Sequence, residues 1–130
     1  MIYLHTSAFV KLVWAEKETA ALQEYLAENA STPLVASTLL VVETRRAVQR
    51  EDPPTMVNAD LLLSRIGQIG IGPAVIESAG RIPEPTLRSL DAIHLATALM
   101  LQEELQAMVT YDERLARTAA AHRVPVVAPS

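Results

Sequence analysis

The sequence predicts an α/β fold with a central, mostly parallel β-sheet and helices on both of its faces. Three observations predict it. Short apolar runs rich in β-favouring residues alternate with helical stretches along the whole chain, the pattern of βαβ crossovers. The length of 130 residues, half of them hydrophobic, fits one domain with a buried core, so a single domain over residues 1–130 is expected. His5 and Asp112 fall just past predicted strands, where sites form in parallel sheets, and Glu43 lies about two turns into the helix after a strand.

The elements follow in order. Met1–Leu4 (MIYL) reads as a buried first strand. Thr6 or Ser7 is placed to cap a helix beginning at Ala8. Glu18 to about Ala30 carries Ala21, Leu22, Tyr25 and Leu26 at helical spacing, and Pro33 ends it. Leu34–Ala36 reads as a second strand. Ser37 or Thr38 then caps a helix to about Arg50, which Pro53 and Pro54 stop. Thr55–Ile66 reads as a helix and Ile69–Ile71, among Gly67, Gly70, Gly72 and Pro73, as a short strand. A short helix near Val75–Ala79 precedes a turn at Pro83-Glu84-Pro85. The spacing predicts the longest and most apolar helix from Thr86 to about Leu105. Ala107–Thr110 reads as a strand. Thr110 and Glu113 have the spacing of a capping box for a helix to about His122. Val124–Val127 reads as a last strand, at an edge because of Pro125.

Composition excludes several classes of function. The chain has no cysteine, so disulfides, thiolate metal sites and cysteine nucleophiles are ruled out. No apolar run approaches the roughly 20 residues of a membrane helix, so no membrane role is expected. No basic stretch and apolar core mark a signal peptide at the N-terminus, and a cytoplasmic location is expected. The formal net charge of −4 does not suit a protein that binds nucleic acid through phosphates alone. Acids gathered to hold a metal would subtract from the charge of an otherwise competent enzyme.

Asp91 is the most informative acid. It lies in Leu90-Asp91-Ala92-Ile93-His94-Leu95-Ala96-Thr97-Ala98, a mostly apolar helix. A buried lone carboxylate is costly, so Asp91 needs a partner: a metal, backbone donors or a base such as Arg88. His94 and Thr97 follow at three-residue spacing on the same helix edge, where His94 reads as a hydrogen-bonded packing residue. Glu43 follows four apolar residues, and spacing alone also allows a surface glutamate. Asp112 suits a first helical turn by the helix dipole alone, and Thr110 suits a cap. His5 directly follows a buried strand, as a core histidine or a site residue. Arg45, Arg46 and Arg50 give one helix a basic side, either a solvated face or an RNA-phosphate contact. No phosphate-binding glycine loop, HExxH or serine-hydrolase elbow is present.

Four segments decide between these readings by resemblance. Met1–Leu12 (MIYLHTSAFVKL) resembles the opening of the PIN-domain ribonucleases, specifically the VapC-type toxins, whose first strand ends in Asp-Thr-Ser. Ser37–Glu43 (STLLVVE) is similar to the second motif of that family, Leu90–Ala98 (LDAIHLATA) to the third, and Val109–Leu115 (VTYDERL) to the fourth. The four occur in order across nearly the whole chain.

The resemblance implies a three-layer α/β/α fold with four acids converging on Mg²⁺ or Mn²⁺. Hard divalent cations take oxygen ligands, and the metal would activate water for in-line attack on an RNA phosphodiester. It implies that Asp91 and Asp112 are metal ligands, that Glu43 completes the catalytic set, and that Thr110 positions Asp112 or a water. It also implies a homodimer and a cognate VapB-type antitoxin that inserts a basic side chain among the acids. The departure is His5, which stands at the position of the first aspartate, a principal metal ligand in the family. Imidazole suits Mn²⁺ or Zn²⁺ better than Mg²⁺, so weakened Mg²⁺ binding and impaired cleavage are expected. The alternative is a catalytically silent PIN-fold module that binds protein or RNA.

Overall fold

The computed structural model describes residues Met1–Ser130. Its strands are β1 (Ile2–Leu4), β2 (Leu34–Ser37), β3 (Gly67–Ile69), β4 (Ala107–Val109) and β5 (Val126–Val127). Its α-helices are α1 (Thr6–Val13), α2 (Thr19–Glu28), α3 (Leu39–Glu51), α4 (Met56–Leu63), α5 (Pro73–Gly80), α6 (Ser89–Met100) and α7 (Glu113–Ala121), with a 3₁₀ turn at Pro53–Thr55. The strands form one five-stranded sheet in the order β3-β2-β1-β4-β5. Every pairing is parallel.

This order explains the layers. From β1 the chain steps outward through β2 to β3, then crosses back to β4 and β5 on the other side. Right-handed crossovers in opposite directions put their helices on opposite faces. Accordingly α1 packs with α2, α3 and α4, and α6 packs with α5 and α7. The strand order reverses between β1 and β4, so the switch point lies at their carboxyl ends. Ile2, Leu4, Phe9, Leu40, Leu95, Met108 and Leu115 are buried in the core between the layers.

Several boundaries differ from those the sequence predicts. His5, not Thr6 or Ser7, caps α1: its backbone is extended (φ −74°, ψ 154°) and its side chain accepts from the Ser7 amide. Thr110 does not cap α7. Asp112 does, its Oδ1 accepting from the Leu115 amide at 2.9 Å, while Thr110 Oγ1 accepts from the Asp112 amide at 3.1 Å. A carboxylate at the cap is favoured by the helix dipole, and the threonine is left for the turn before it. Ser37 ends β2 and its Oγ accepts from the Leu39 amide at 3.1 Å, whereas Thr38 makes no side-chain cap.

The helix α6 is shorter than the apolar run. It begins only at Ser89: Pro83 and Pro85 interrupt the run, the chain turns at Pro85 and Thr86, and Arg88 is extended at φ −68°, ψ 153°. It ends before Glu103 and Glu104, acids that oppose the dipole of a helix C-terminus. The third strand lies two residues earlier than expected, because β3 pairs Gly67 with Val35. A Cβ at Gly67 would lie 3.3 Å from Val35 Cγ1 and 3.4 Å from the Leu34 carbonyl, so the close approach of the strands favours glycine. The last strand is at the sheet edge, as its proline predicts.

Candidate active site

His5 follows β1 and Thr110 follows β4, and the ladder continues past both strands. The His5 amide donates to the Val109 carbonyl at 3.0 Å, and the Thr110 amide to the Val127 carbonyl at 3.2 Å. The two side chains therefore meet at the switch point. His5 is 5% exposed and both its ring nitrogens are engaged. Nε2 lies 3.0 Å from Asp91 Oδ1, and Nδ1 lies 2.8 Å from Ser7 Oγ and 3.0 Å from Thr110 Oγ1. Asp91 accepts only, so Nε2 donates and a neutral ring presents Nδ1 as the acceptor for the hydroxyls.

Asp91 is 6% exposed in the first turn of α6. Its Oδ2 accepts from Arg88 Nη2 at 3.2 Å, and the same nitrogen donates to Asp112 Oδ2 at 3.3 Å. The partner that the buried acid requires is thus double: His5 within and Arg88 at the rim. Burial alone raises the Asp91 carboxyl, but the hydrogen bond from His5 and the charge and hydrogen bond of Arg88 leave it below the ordinary carboxylate range.

Glu43 comes to the site from α3. Its Oε1 accepts from Thr6 Oγ1 at 2.6 Å and from His94 Nε2 at 2.7 Å. Burial raises this carboxyl too, and the His94 and Thr6 hydrogen bonds outweigh it to hold the pKa below the ordinary glutamate value. The surface reading of Glu43 does not hold, because α3 turns this residue inward. His94 is the buried, hydrogen-bonded packing residue that its spacing predicts.

The structure thus gathers His5, Glu43, Asp91, Thr110 and Asp112 at the carboxyl ends of β1 and β4. The arginines divide. Arg45 pairs outward with Asp60 at 3.1 Å. Arg46 lines a groove of 940 Å³ together with Trp14, Glu43, Arg50 and Arg88. Sequence reasoning missed Tyr3, Thr6 and Ser7 as site residues. A signal for Tyr3 was present: residues two apart on a strand share a face, which puts Tyr3 beside His5.

The donor set does not fit a hard divalent cation as it stands. No three or more His, Asp or Glu side chains are spaced to hold a metal ion. His5 offers nitrogen in place of oxygen and is bonded to Asp91, while the Arg88 guanidinium lies between Asp91 and Asp112. The one orphaned buried side-chain polar atom is Thr44 Oγ1, so neither His5 nor any of the acids has a buried atom awaiting a ligand.

Residues 2–121 match the PIN domain family. The chain belongs to the PIN-domain family. Ribonuclease VapC35 of Mycobacterium tuberculosis is 41% identical over 131 residues, covering 99% of this chain and 97% of that protein. Ribonuclease VapC47 of the same species is 43% identical over 122 residues, covering 88% and 87%. Two solved structures share this PIN fold. VapBC2 from Rickettsia felis, bound to a DNA fragment from its promoter, has a TM-score of 0.79 at 16% identity, with 100% of both chains covered. VapC20 of M. tuberculosis, a sarcin-ricin loop cleaving toxin, has a TM-score of 0.73 at 19% identity, covering 99% of this chain and 100% of that one. The parallel five-stranded sheet between helical layers is the expected three-layer PIN architecture.

Proposed function

We propose that this PIN domain is a toxin-type endoribonuclease that hydrolyses RNA phosphodiester bonds, impaired in this chain by His5. The observation that carries the reading is Asp91. It is a buried carboxylate in an apolar helix, at the mouth of a small depression that it lines with Glu43 and Arg88, and one guanidinium away from Asp112. Full-length identity to proteins named ribonucleases supports the chemistry. By analogy with the VapBC2 complex, the partner is a VapB-type antitoxin; we further assign the chain a homodimeric state, a cytoplasmic location and dependence on Mg²⁺ or Mn²⁺ once position 5 carries a carboxylate.

The residues themselves provide several parts of such a reaction. Asp91 and Glu43 supply negative charge along one depression, and Asp112 lies on the far side of Arg88 from Asp91. Arg88, with 70% of its side chain exposed, is placed to meet an incoming phosphate, and Arg46 lies along the same groove. Arg45 has no such place, so Arg46 is the stronger of the two arginine assignments. With His5 present, the first position donates a proton to Asp91 where the family aspartate would add an acceptor.

A second reading is favoured by one observation: every acid of the cluster already has a partner within the chain. A catalytically silent PIN module that holds RNA or a protein would look this way. The two readings separate in one experiment. The chain and its His5→Asp variant are compared for cleavage of total RNA in Mg²⁺ and in Mn²⁺. Cleavage by the variant but not by the parent, abolished by adding Asp91→Asn, is the expected result. No cleavage by either would support the silent module.

A further inference from the structure

His94 is wholly shielded from solvent, yet both its ring nitrogens are hydrogen-bonded. Nε2 faces Glu43 Oε1 at 2.7 Å and Nδ1 faces the Tyr3 hydroxyl at 2.7 Å. The Tyr3 oxygen in turn accepts from the Ser37 amide at 3.1 Å. A continuous chain of contacts therefore runs from the end of β2 through β1 and α6 to α3.

The directions of these bonds follow from what each group can do. An ionised carboxylate accepts and cannot donate, so Nε2 carries a proton. A neutral ring with Nε2 protonated has a bare Nδ1, and the donor in reach is the Tyr3 O–H. The Ser37 amide already points at the Tyr3 oxygen, which leaves the phenolic proton for Nδ1. The Tyr3 hydroxyl is wholly buried, so its proton needs an acceptor, and His94 Nδ1 is the one in reach.

Packing holds the ring still. It stands edge-on to Tyr3 at 5.9 Å and to His5 at 4.8 Å between centroids, with interplanar angles of 84° and 83°. Thr6 donates to the same glutamate oxygen that His94 does. Oε1 is therefore taken by two donors, while Oε2 has no partner within the protein and Glu43 borders the groove.

We infer that Tyr3 and His94 are positioning residues for Glu43, a relay from Tyr3 O–H to Nδ1 and from Nε2–H to Oε1 that leaves Oε2 as the working oxygen. This rests on the ribonuclease reading, in which Glu43 acts on substrate or solvent in the groove. The physical reason is orientation: one locked oxygen sets the direction of the other, and small misplacements of a reacting group are costly in rate. The hydrogen bond partner of a histidine's far nitrogen fixes the tautomer at the near one.

The test uses two independent readouts. Nitrogen-15 NMR of the unaltered chain should show His94 as the neutral Nε2–H tautomer. Tyr3→Phe should move the Nδ1 resonance, and Glu43→Ala the Nε2 resonance. A protonated Nδ1, in either a neutral or a charged ring, would overturn the relay. The second readout is cleavage kinetics in the His5→Asp background. His94→Leu should lower kcat by up to about 100-fold with little change in KM. His94→Gln, whose amide is able to donate to Glu43, should recover part of the loss, and Tyr3→Phe should fall between. Equal losses in His94→Leu and His94→Gln, or no loss in either, would overturn the positioning role. If the His5→Asp protein cuts no RNA, the ribonuclease reading fails, and the NMR spectrum still decides the relay.

Discussion

Glu43 and Arg45 lie two residues apart on α3 and live in different solvents. Glu43 turns inward, its side chain 23% exposed, and its Oε1 is held by a buried histidine and a threonine. Arg45 turns outward to Asp60, with side chains 54% and 44% exposed. Both are charged residues with a partner at hydrogen-bond distance. The difference is what surrounds the pair. Water screens the Arg45–Asp60 attraction and competes for both groups, so such pairs contribute about 0–1 kcal/mol. The site groups have little water to fall back on, and removing one partner leaves the other stranded. About half a turn of helix thus separates a pair that matters little from a network in which each member depends on the next.

The largest effect should come from breaking the buried side of this comparison. Asp91→Ala strands the His5 imidazole at the switch point and should cost about 2–4 kcal/mol, read from urea unfolding. A cost under about 1 kcal/mol would mean that the His5–Asp91 contact is no more than a surface pair. Acid should act next. Asp91 and Glu43 have folded pKa values below their ordinary ones, so the unfolded chain binds protons first as pH falls. Their contribution is present in full above the ordinary values of 3.8 and 4.5 and is lost as pH drops through the lower folded values. The thermal midpoint should therefore fall below about pH 4.5, and Asp91→Asn should flatten part of that fall; an unchanged acid limb would remove Asp91 from the account. The smallest effect belongs to Arg45→Ala, expected within about 1 kcal/mol of the parent and weaker still in high salt. A larger loss would erase the contrast between the two sides of α3.

Much of the fold is legible because strand and helix signals are local. Apolar periodicity, prolines and turns mark all five strands and most helices of this chain. The errors fall at the ends of elements, where two residues compete for one task. Thr110 and Asp112 both suit a cap, and the backbone geometry past β4 gives the position to Asp112. Gly67 entered β3 because of its close contact with Val35 across the sheet, which no single segment reveals.

The site divides in the same way. Sequence alone named the candidates: Asp91 in its apolar helix, the acids Glu43 and Asp112, and His5 just past the first strand. It determined them because motif residues keep their order and spacing along the chain. Only the tertiary structure decided who holds whom. Tyr3 reaches His94 across 91 positions, His5 reaches Asp91 across 86, and Glu43 is tied to His94 across 51. Those bonds exist because the sheet places β1 between β2 and β4 and brings α1, α3 and α6 to its carboxyl edge. A hydrogen bond forms only where both partners arrive with the right direction, and chain topology alone determines that.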